Sequence, residues 1–106
     1  MKLGIVIYSD DKETVRNGFR FANFALKNKN TVKVFLLAKG VEYESLDSEQ
    51  FDIIKQAHYF MKNGRIIFAC GTCVKLRKFK NSKMCPMSTI EDLYNIVLES
   101  DKILSF

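Results

Sequence analysis

The sequence predicts an α/β fold built on a mostly parallel sheet with helices on both faces. Short apolar runs that read as strands alternate with segments of helical spacing along the whole chain. The first strand run is apolar on both faces and rich in β-branched residues, as parallel strands covered on both sides require. Size supplies a third observation. A chain of 106 residues supports one core and one domain, residues 1–106.

Residues 2–8 carry Leu3, Ile5, Val6 and Ile7 in one run, closed by Ser9, Asp10 and Asp11, and form the first buried strand. Asp10 or Asp11 caps a helix that runs to about residue 29. Val15, Phe19, Ala22 and Leu26 fall at helical spacing and form its inward stripe. Phe21 and Phe24 lie off that stripe, and either widen the core face or meet another subunit. Residues 31–38 are the second strand, ended by Lys39 and Gly40, and residues 41–48 are a polar loop. Asp47 or Ser48 opens a helix through residue 62, with Phe51, Ile54, His58 and Met61 on one side and Asn63-Gly64 at the stop. Residues 65–69 are the third strand, and a short helix covers residues 72 to about 78. Residues 81–86 are a connector with room for a short fourth strand that ends at Cys85. Ser88 and Glu91 have capping-box spacing, and the helix they start turns Ile90, Leu93 and Val97 inward and ends near Ser100. Residues 102–106 close the sheet.

In such a sheet, ligand sites lie beyond the C-terminal ends of the strands, near a topological switch point. That directs attention to residues 9–11, 40–42, 70–73 and 85–87.

Composition narrows the classes of function. Apolar residues at 47% and charged residues at 27% exclude a disordered chain. One proline and five glycines exclude collagen-like sequence. No apolar run approaches the roughly 20 residues of a membrane helix. The N-terminal run meets Asp10 and Asp11 at once, unlike a secretory signal, so a cytoplasmic location is expected. The net charge of +5 is most simply a solvated basic surface. Nucleic-acid binding is a distant third reading, because no aromatic stacking platform is interleaved with the basic residues.

The three cysteines are an odd number, and a reducing compartment discourages structural disulfides. Cys70 and Cys73 form a C-x-x-C across a strand-to-helix turn, where Gly71 lets the backbone turn sharply. The free N–H groups of a helix start, with Thr72 in the turn and Lys75, Arg77 and Lys78 nearby, favour a thiolate. A thiolate is the nucleophile in cysteine chemistry. The plainer reading is two buried structural thiols. Cys85 follows Cys73 by 12 residues and precedes Pro86 and a capped helix. It either converges on the same rim or is a packed loop thiol.

Three sulfurs fall short of the four ligands of a structural zinc or an iron–sulfur cluster. The single histidine, His58, lies on a separate helix. Zinc is therefore the alternative cofactor, and no cofactor and no metal residues are the expectation. A thioredoxin-type dithiol opens a long helix after the first strand of its core, whereas this one follows the third. No G-x-G-x-x-G, Walker loop or G-x-S-x-G elbow is present.

Four segments carry a family resemblance. They are Tyr8-Ser9-Asp10-Asp11 after the first strand, Phe35-Leu36-Leu37-Ala38-Lys39-Gly40-Val41, Ala69-Cys70-Gly71-Thr72-Cys73, and the segment from Cys85-Pro86-Met87-Ser88 to Lys102. Together they resemble the DsrE/DsrF-like family over essentially the whole chain. The resemblance implies a three-layer α/β/α sandwich around a five-stranded parallel sheet. It also implies sulfur relay, in which a cysteine after a central strand accepts persulfide sulfur from a donor protein and hands it on. Homo-oligomers, often trimers, or larger hetero-complexes are implied too. Cys70 and Cys73 both match the relay position, and the strand-end Cys70 is slightly preferred. The second cysteine of the turn, and Cys85 beyond it, depart from the sulfur-relay branch and leave room for an internal disulfide or a small metal site.

The leading expectation is thus a persulfide carrier, sulfurtransferase-like, with Cys70, Cys73 and Cys85 as reactive candidates. Gly71, Thr72, Lys75 and Arg77 support the anion. Sulfur donor and acceptor proteins are its partners, and no membrane is. The alternative is a cysteine-based metal-binding or redox-sensing oligomeric module, with Phe21, Phe24 and Tyr43 as its oligomer face.

Overall fold

The computed structural model describes residues 1–77 and 87–106. Ten elements follow in order: β1 (Lys2–Ile7), α1 (Lys12–Lys27), β2 (Thr31–Leu36), a 3-10 helix (Ala38–Leu46), α2 (Ile53–Lys62), β3 (Ile67–Cys70), α3 (Gly71–Leu76), β4 (Met87–Ser88), α4 (Ile90–Glu99) and β5 (Lys102–Ser105). The five strands form one sheet in the order β4-β3-β2-β1-β5. Every neighbouring pair is parallel, with Ile5 opposite Val34, Phe35 opposite Phe68 and Ile5 opposite Leu104.

Right-handed crossovers explain the layers. The chain steps from β1 to β2 to β3 in one direction, which lays α1 and α2 on one face. It then crosses back through α4 to β5, which lays α4 on the other. Side chains of β1 alternate accordingly. Gly18 of α1 packs on Ile7, while Gly4 faces Ile96 and Ser100 of α4. Ile5, Ile7, Val34 and Ile67 meet Val15, Phe19, Ala22, Ala57 and Phe60 in the core beneath α1 and α2. Burying a Val, Ile or Phe side chain contributes about 1.5–3 kcal/mol each, so this layer dominates stability.

Asp11 caps α1 by accepting the Thr14 N–H at 2.9 Å. Its carboxyl is held below the usual range, first by that backbone hydrogen bond and then by the Thr14 hydroxyl. Arg16 of α1 pairs with Asp52, at the start of α2, at 2.8 Å.

Several sequence expectations shift. Residues 41–48 are not a polar loop. Most of them extend the 3-10 helix, which buries Val41 and Tyr43. Tyr43, at 2% exposure, stacks at a tilt on Phe19 and is core, not an oligomer face. The second long helix starts at Ile53, later than expected: Ser48 spends its side chain on the preceding turn, while Asp47 bonds the first turn of α2 from outside the helix. Their oxygens accept the N–H groups of Phe51 and Ile54, respectively. Its buried stripe is Ile53, Ala57 and Phe60. Of the expected set, Phe51, Ile54 and Met61 are half-buried and His58 is exposed.

The capping box of α4 lies one residue later than read. Ser88 pairs with Cys70 in the β4 ladder and stays extended, so Thr89 is the first residue free to cap. Thr89 accepts the Asp92 N–H, and Asp92 accepts the Thr89 N–H at 2.8 Å. Leu93 and Ile96 consequently face the sheet, while Ile90 and Val97, expected inward, are exposed. The connector at residues 81–86, with Cys85, and the expected end of the short helix at Lys78 lie outside the described residues.

Candidate dithiol site

β3 delivers the cysteines. Cys70 is its last residue and also the N-cap of α3. The Cys70 sulfur fills the capping position that a hydroxyl or carboxylate usually takes, accepting the Cys73 N–H at 3.4 Å. Cys73 is one helical turn on, so its side chain returns over the strand end. The two sulfurs lie 2.9 Å apart, with the Cys73 thiol donating to Cys70 Sγ, and both cysteines are free thiols. Cys70 is buried at 7% exposure, whereas Cys73 is half-buried. Gly71 allows a close pass of β4, since a Cβ there would lie 3.2 Å from the Ser88 carbonyl oxygen.

A second strand end contributes. The loop after β2 points the Ala38 N–H at Cys73 Sγ, 3.2 Å away. Glu42 of the same 3-10 helix pairs with Arg77 at 2.8 Å. Arg77 also donates through Nη1 to the Cys73 carbonyl oxygen at 3.3 Å.

The electrostatics of Cys73 differ from the sequence expectation. Its thiol is pushed up from the ordinary value, first by burial and then by the hydrogen bond to Cys70. The Ala38 N–H and the Arg77 guanidinium pull the other way and do not prevail. The expected lowering assumed a helix start with a full set of aligned peptides. α3 has only six residues, too few to build a strong terminal field.

Of the residues singled out in the sequence, the fold brings together Cys70, Cys73, Gly71 and Arg77. Thr72 and Lys75 lie on the exposed side of α3. Cys85 lies outside the described residues, as does Lys78. Among the described residues, no three His, Cys, Asp or Glu side chains gather into a metal-holding group. Two sulfurs do not make the four-ligand set of a structural zinc. Sequence reasoning flagged the Gly40–Glu42 stretch only by its place at a strand end. Ala38 was missed because it acts through a backbone N–H that no residue code reports.

The site sits at the C-terminal end of the sheet, as expected. It is not at the reversal of strand order, which falls between β1 and β5, with β2 and β1 separating it from β3.

These features define a small parallel α/β protein that holds a dithiol at the end of its third strand. The chain belongs to the DsrE/DsrF-like family, whose model matches residues 1–106. Uncharacterized protein MJ0989 of Methanocaldococcus jannaschii is 31% identical over 101 residues, 90% of this chain and 89% of that one. Uncharacterized protein MK0008 of Methanopyrus kandleri is 28% identical over 101 residues, 90% of this chain and 84% of that one. The fold is shared with the ychN protein from E. coli, with a TM-score of 0.82, 19% identity and full coverage of both chains. It is shared as well with a conserved protein of unknown function, BT1422, from Bacteroides thetaiotaomicron, with a TM-score of 0.76, 19% identity, and 99% and 94% coverage.

Proposed function

We propose that this chain is a sulfur-relay protein that accepts sulfane sulfur on the Cys70–Cys73 pair. The observation that carries the reading is the pair itself: two free thiols 2.9 Å apart at the end of β3 in a DsrE/DsrF-like chain. Burial supports a division of roles. Cys73 is the sulfur a donor can reach, and the covered Cys70 is its neighbour and proton partner. Exposure thus moves the preference from Cys70 to Cys73.

In the reaction, the Cys73 thiolate attacks the outer sulfur of a donor hydrodisulfide, R–S–SH. The donor S–S bond breaks, R–S⁻ departs and takes a proton, and Cys73–S–SH forms. Two exits balance. An acceptor thiolate takes the outer sulfur and returns the Cys73 thiol. Alternatively, the Cys70 thiolate attacks Cys73 Sγ, forms the Cys70–Cys73 disulfide and expels HS⁻. In that exit the dithiol is oxidised by two electrons and the departing sulfur is reduced. Both steps are thiol exchanges, governed by thiolate fraction and access.

The 2.9 Å separation also supports a second reading, a redox-sensing dithiol that closes to a disulfide without carrying sulfur. Intact mass separates the two. Fully reduced protein is exposed to polysulfide without oxygen and then treated with a thiol reductant, because sulfinic acid weighs nearly the same as one added sulfur and is not reversed. A reversible gain of one sulfur that survives in Cys70→Ser and disappears in Cys73→Ser supports the relay. Loss of two hydrogens in the wild type, with no sulfur gained by Cys70→Ser, supports the redox reading and rejects the relay.

The partners we propose are sulfur donor and acceptor proteins, in a cytoplasmic setting that keeps thiols reduced. A second copy of this chain is a further partner. α4 carries Ile90, Tyr94, Val97 and Leu98 exposed, beside Glu91 and Glu99. The groove between α1 and α2 carries exposed Phe24, Phe21 and Tyr59 among Arg20 and Lys27. One apolar face is bordered by acids and the other by bases, so each suits the other in a neighbouring copy. No described helix is long and apolar enough to cross a membrane.

A further inference from the structure

The loop after β2 is held in a conformation that needs an explanation. Ala38 has a φ of +51°, the left-handed region that L-residues avoid because Cβ crowds the following carbonyl. The restraints are visible. The Leu37 N–H bonds the Ile7 carbonyl at 2.9 Å, and the Gly40 N–H bonds the Leu37 carbonyl at 2.9 Å. Gly40 lies so close to Ile7 that a Cβ on it would fall 1.9 Å from the Ile7 oxygen. This folded-back path aims the Ala38 N–H at Cys73 Sγ. A few residues on, Glu42 grips Arg77, which also holds the Cys73 carbonyl. The 3-10 helix is therefore fastened to the cysteine helix at two points, at the Cys73 sulfur and at Arg77 one turn on.

We propose that the Ala38 N–H is the donor that holds negative charge on the Cys73 sulfur, both as thiolate and as the loaded persulfide. The Glu42–Arg77 pair is the latch that keeps this donor aimed. The inference rests on the reading of Cys73 as the sulfur acceptor. Strain at an uncommon backbone angle persists where the surroundings over-determine it, and such sites cluster at reactive groups. Ala38 acts on the sulfur directly, through its backbone. Glu42 and Arg77 are positioning residues, and their half-buried pair works by restraint more than by strength, since water screens it.

The test uses the full chain, reduced, as wild type, Glu42→Gln, Arg77→Gln, the double variant and Cys73→Ala. Two quantities are measured: hydrogen exchange of the Ala38 amide by NMR, and the rate of sulfur uptake from polysulfide by intact mass. In the wild type the Ala38 amide is protected. Cys73→Ala speeds its exchange about three- to tenfold, the effect of one lost hydrogen bond. Glu42→Gln and Arg77→Gln each speed it about two- to fivefold, and slow sulfur uptake by a similar factor, as expected for a screened pair. The double variant matches Arg77→Gln, which already breaks the pair and also loses the bond to the Cys73 carbonyl. A wild-type Ala38 amide that exchanges freely, or one indifferent to Cys73→Ala, overturns the proposal. So do latch variants that equal the wild type in both measurements while the wild type still takes up sulfur. If the wild type takes up no sulfur, yet Ala38 exchange follows Cys73, Glu42 and Arg77, the latch stands and the relay reading falls.

Discussion

Burial gives the two cysteines of one turn different lives. Cys70 closes a strand, caps a helix and disappears under it, while Cys73 stays within reach of solvent. The raised Cys73 thiol has a consequence for stability. Its folded-state value lies above the ordinary 9.0, so folding favours the protonated form. That contribution is complete below the ordinary value and is lost as pH rises through the folded one. The thermal midpoint of the reduced wild type should therefore fall, as pH rises above the ordinary value of 9.0, more steeply than that of Cys73→Ser, which has no thiol to ionise at that position. Parallel profiles for the two chains would remove burial as the controlling influence on Cys73. On the proposed relay, the same raised thiol should make sulfur uptake speed up with pH across the neutral range, since the thiolate is the attacking form.

At the scale of elements, short helices and short strands are positioned by their ends. β4 has two residues and α4 follows it after a single one, Thr89. The reciprocal bonds of Thr89 and Asp92 mark where the strand stops and the helix starts. Thr89→Ala is expected to cost about 1 kcal/mol, the usual worth of a hydroxyl cap, read as a lower urea midpoint at unchanged slope. No loss would mean that the β4 ladder alone sets the start of α4. The cap also explains why the periodicity of residues 90–97 was read on the wrong face. α4 is apolar over somewhat more than half of its circumference, at positions 90, 93, 94, 96, 97 and 98, with Glu91, Asp92, Asn95 and Glu99 on the remainder. Spacing alone cannot choose between its two stripes, and a one-residue shift of the cap rotates the helix by about 100°. α2 also starts late: Ser48 bonds the turn ahead of the helix, and Asp47 reaches the Ile54 N–H of its first turn from outside it.

For the whole molecule, the two helix layers are unequal. α1, α2 and the 3-10 helix cover one face of the sheet, while α4 sits on the other with an apolar outer stripe. A contiguous apolar stripe left exposed suits a contact surface. In the head-to-tail association proposed above, the α4 stripe would pack against the α1–α2 groove of the next copy, and such a contact has a distinctive signature. Tyr94→Glu and Phe24→Glu, at 61% and 67% exposure, each remove one of the two different surfaces. Each variant alone should sediment as monomer, and an equal mixture should recover a heterodimer but nothing larger, because one intact contact remains. A mixture that stays monomeric would exclude head-to-tail assembly.

The sequence by itself determined the fold class and where to look within it. Strand runs apolar on both faces, joined by helical segments, admit little besides a covered parallel sheet. A C-x-x-C at a strand-to-helix turn marked the end of that sheet where the dithiol lies. Those features are local and repeat along the chain, so they survive without coordinates. The tertiary structure decided what depends on residues far apart in sequence. It turned Tyr43 into core by folding residues 38–46 over Phe19. It put the reversal of strand order between β1 and β5, away from the cysteines. It raised the Cys73 thiol by burying it, where a local reading of helix polarity gave the opposite direction. And it brought the Ala38 N–H and the Glu42 carboxylate, each 35 residues from its partner, to Cys73 and Arg77. Periodicity and motif spacing carry local preference; burial, register and a backbone hydrogen bond across two strand ends exist only once the sheet has formed.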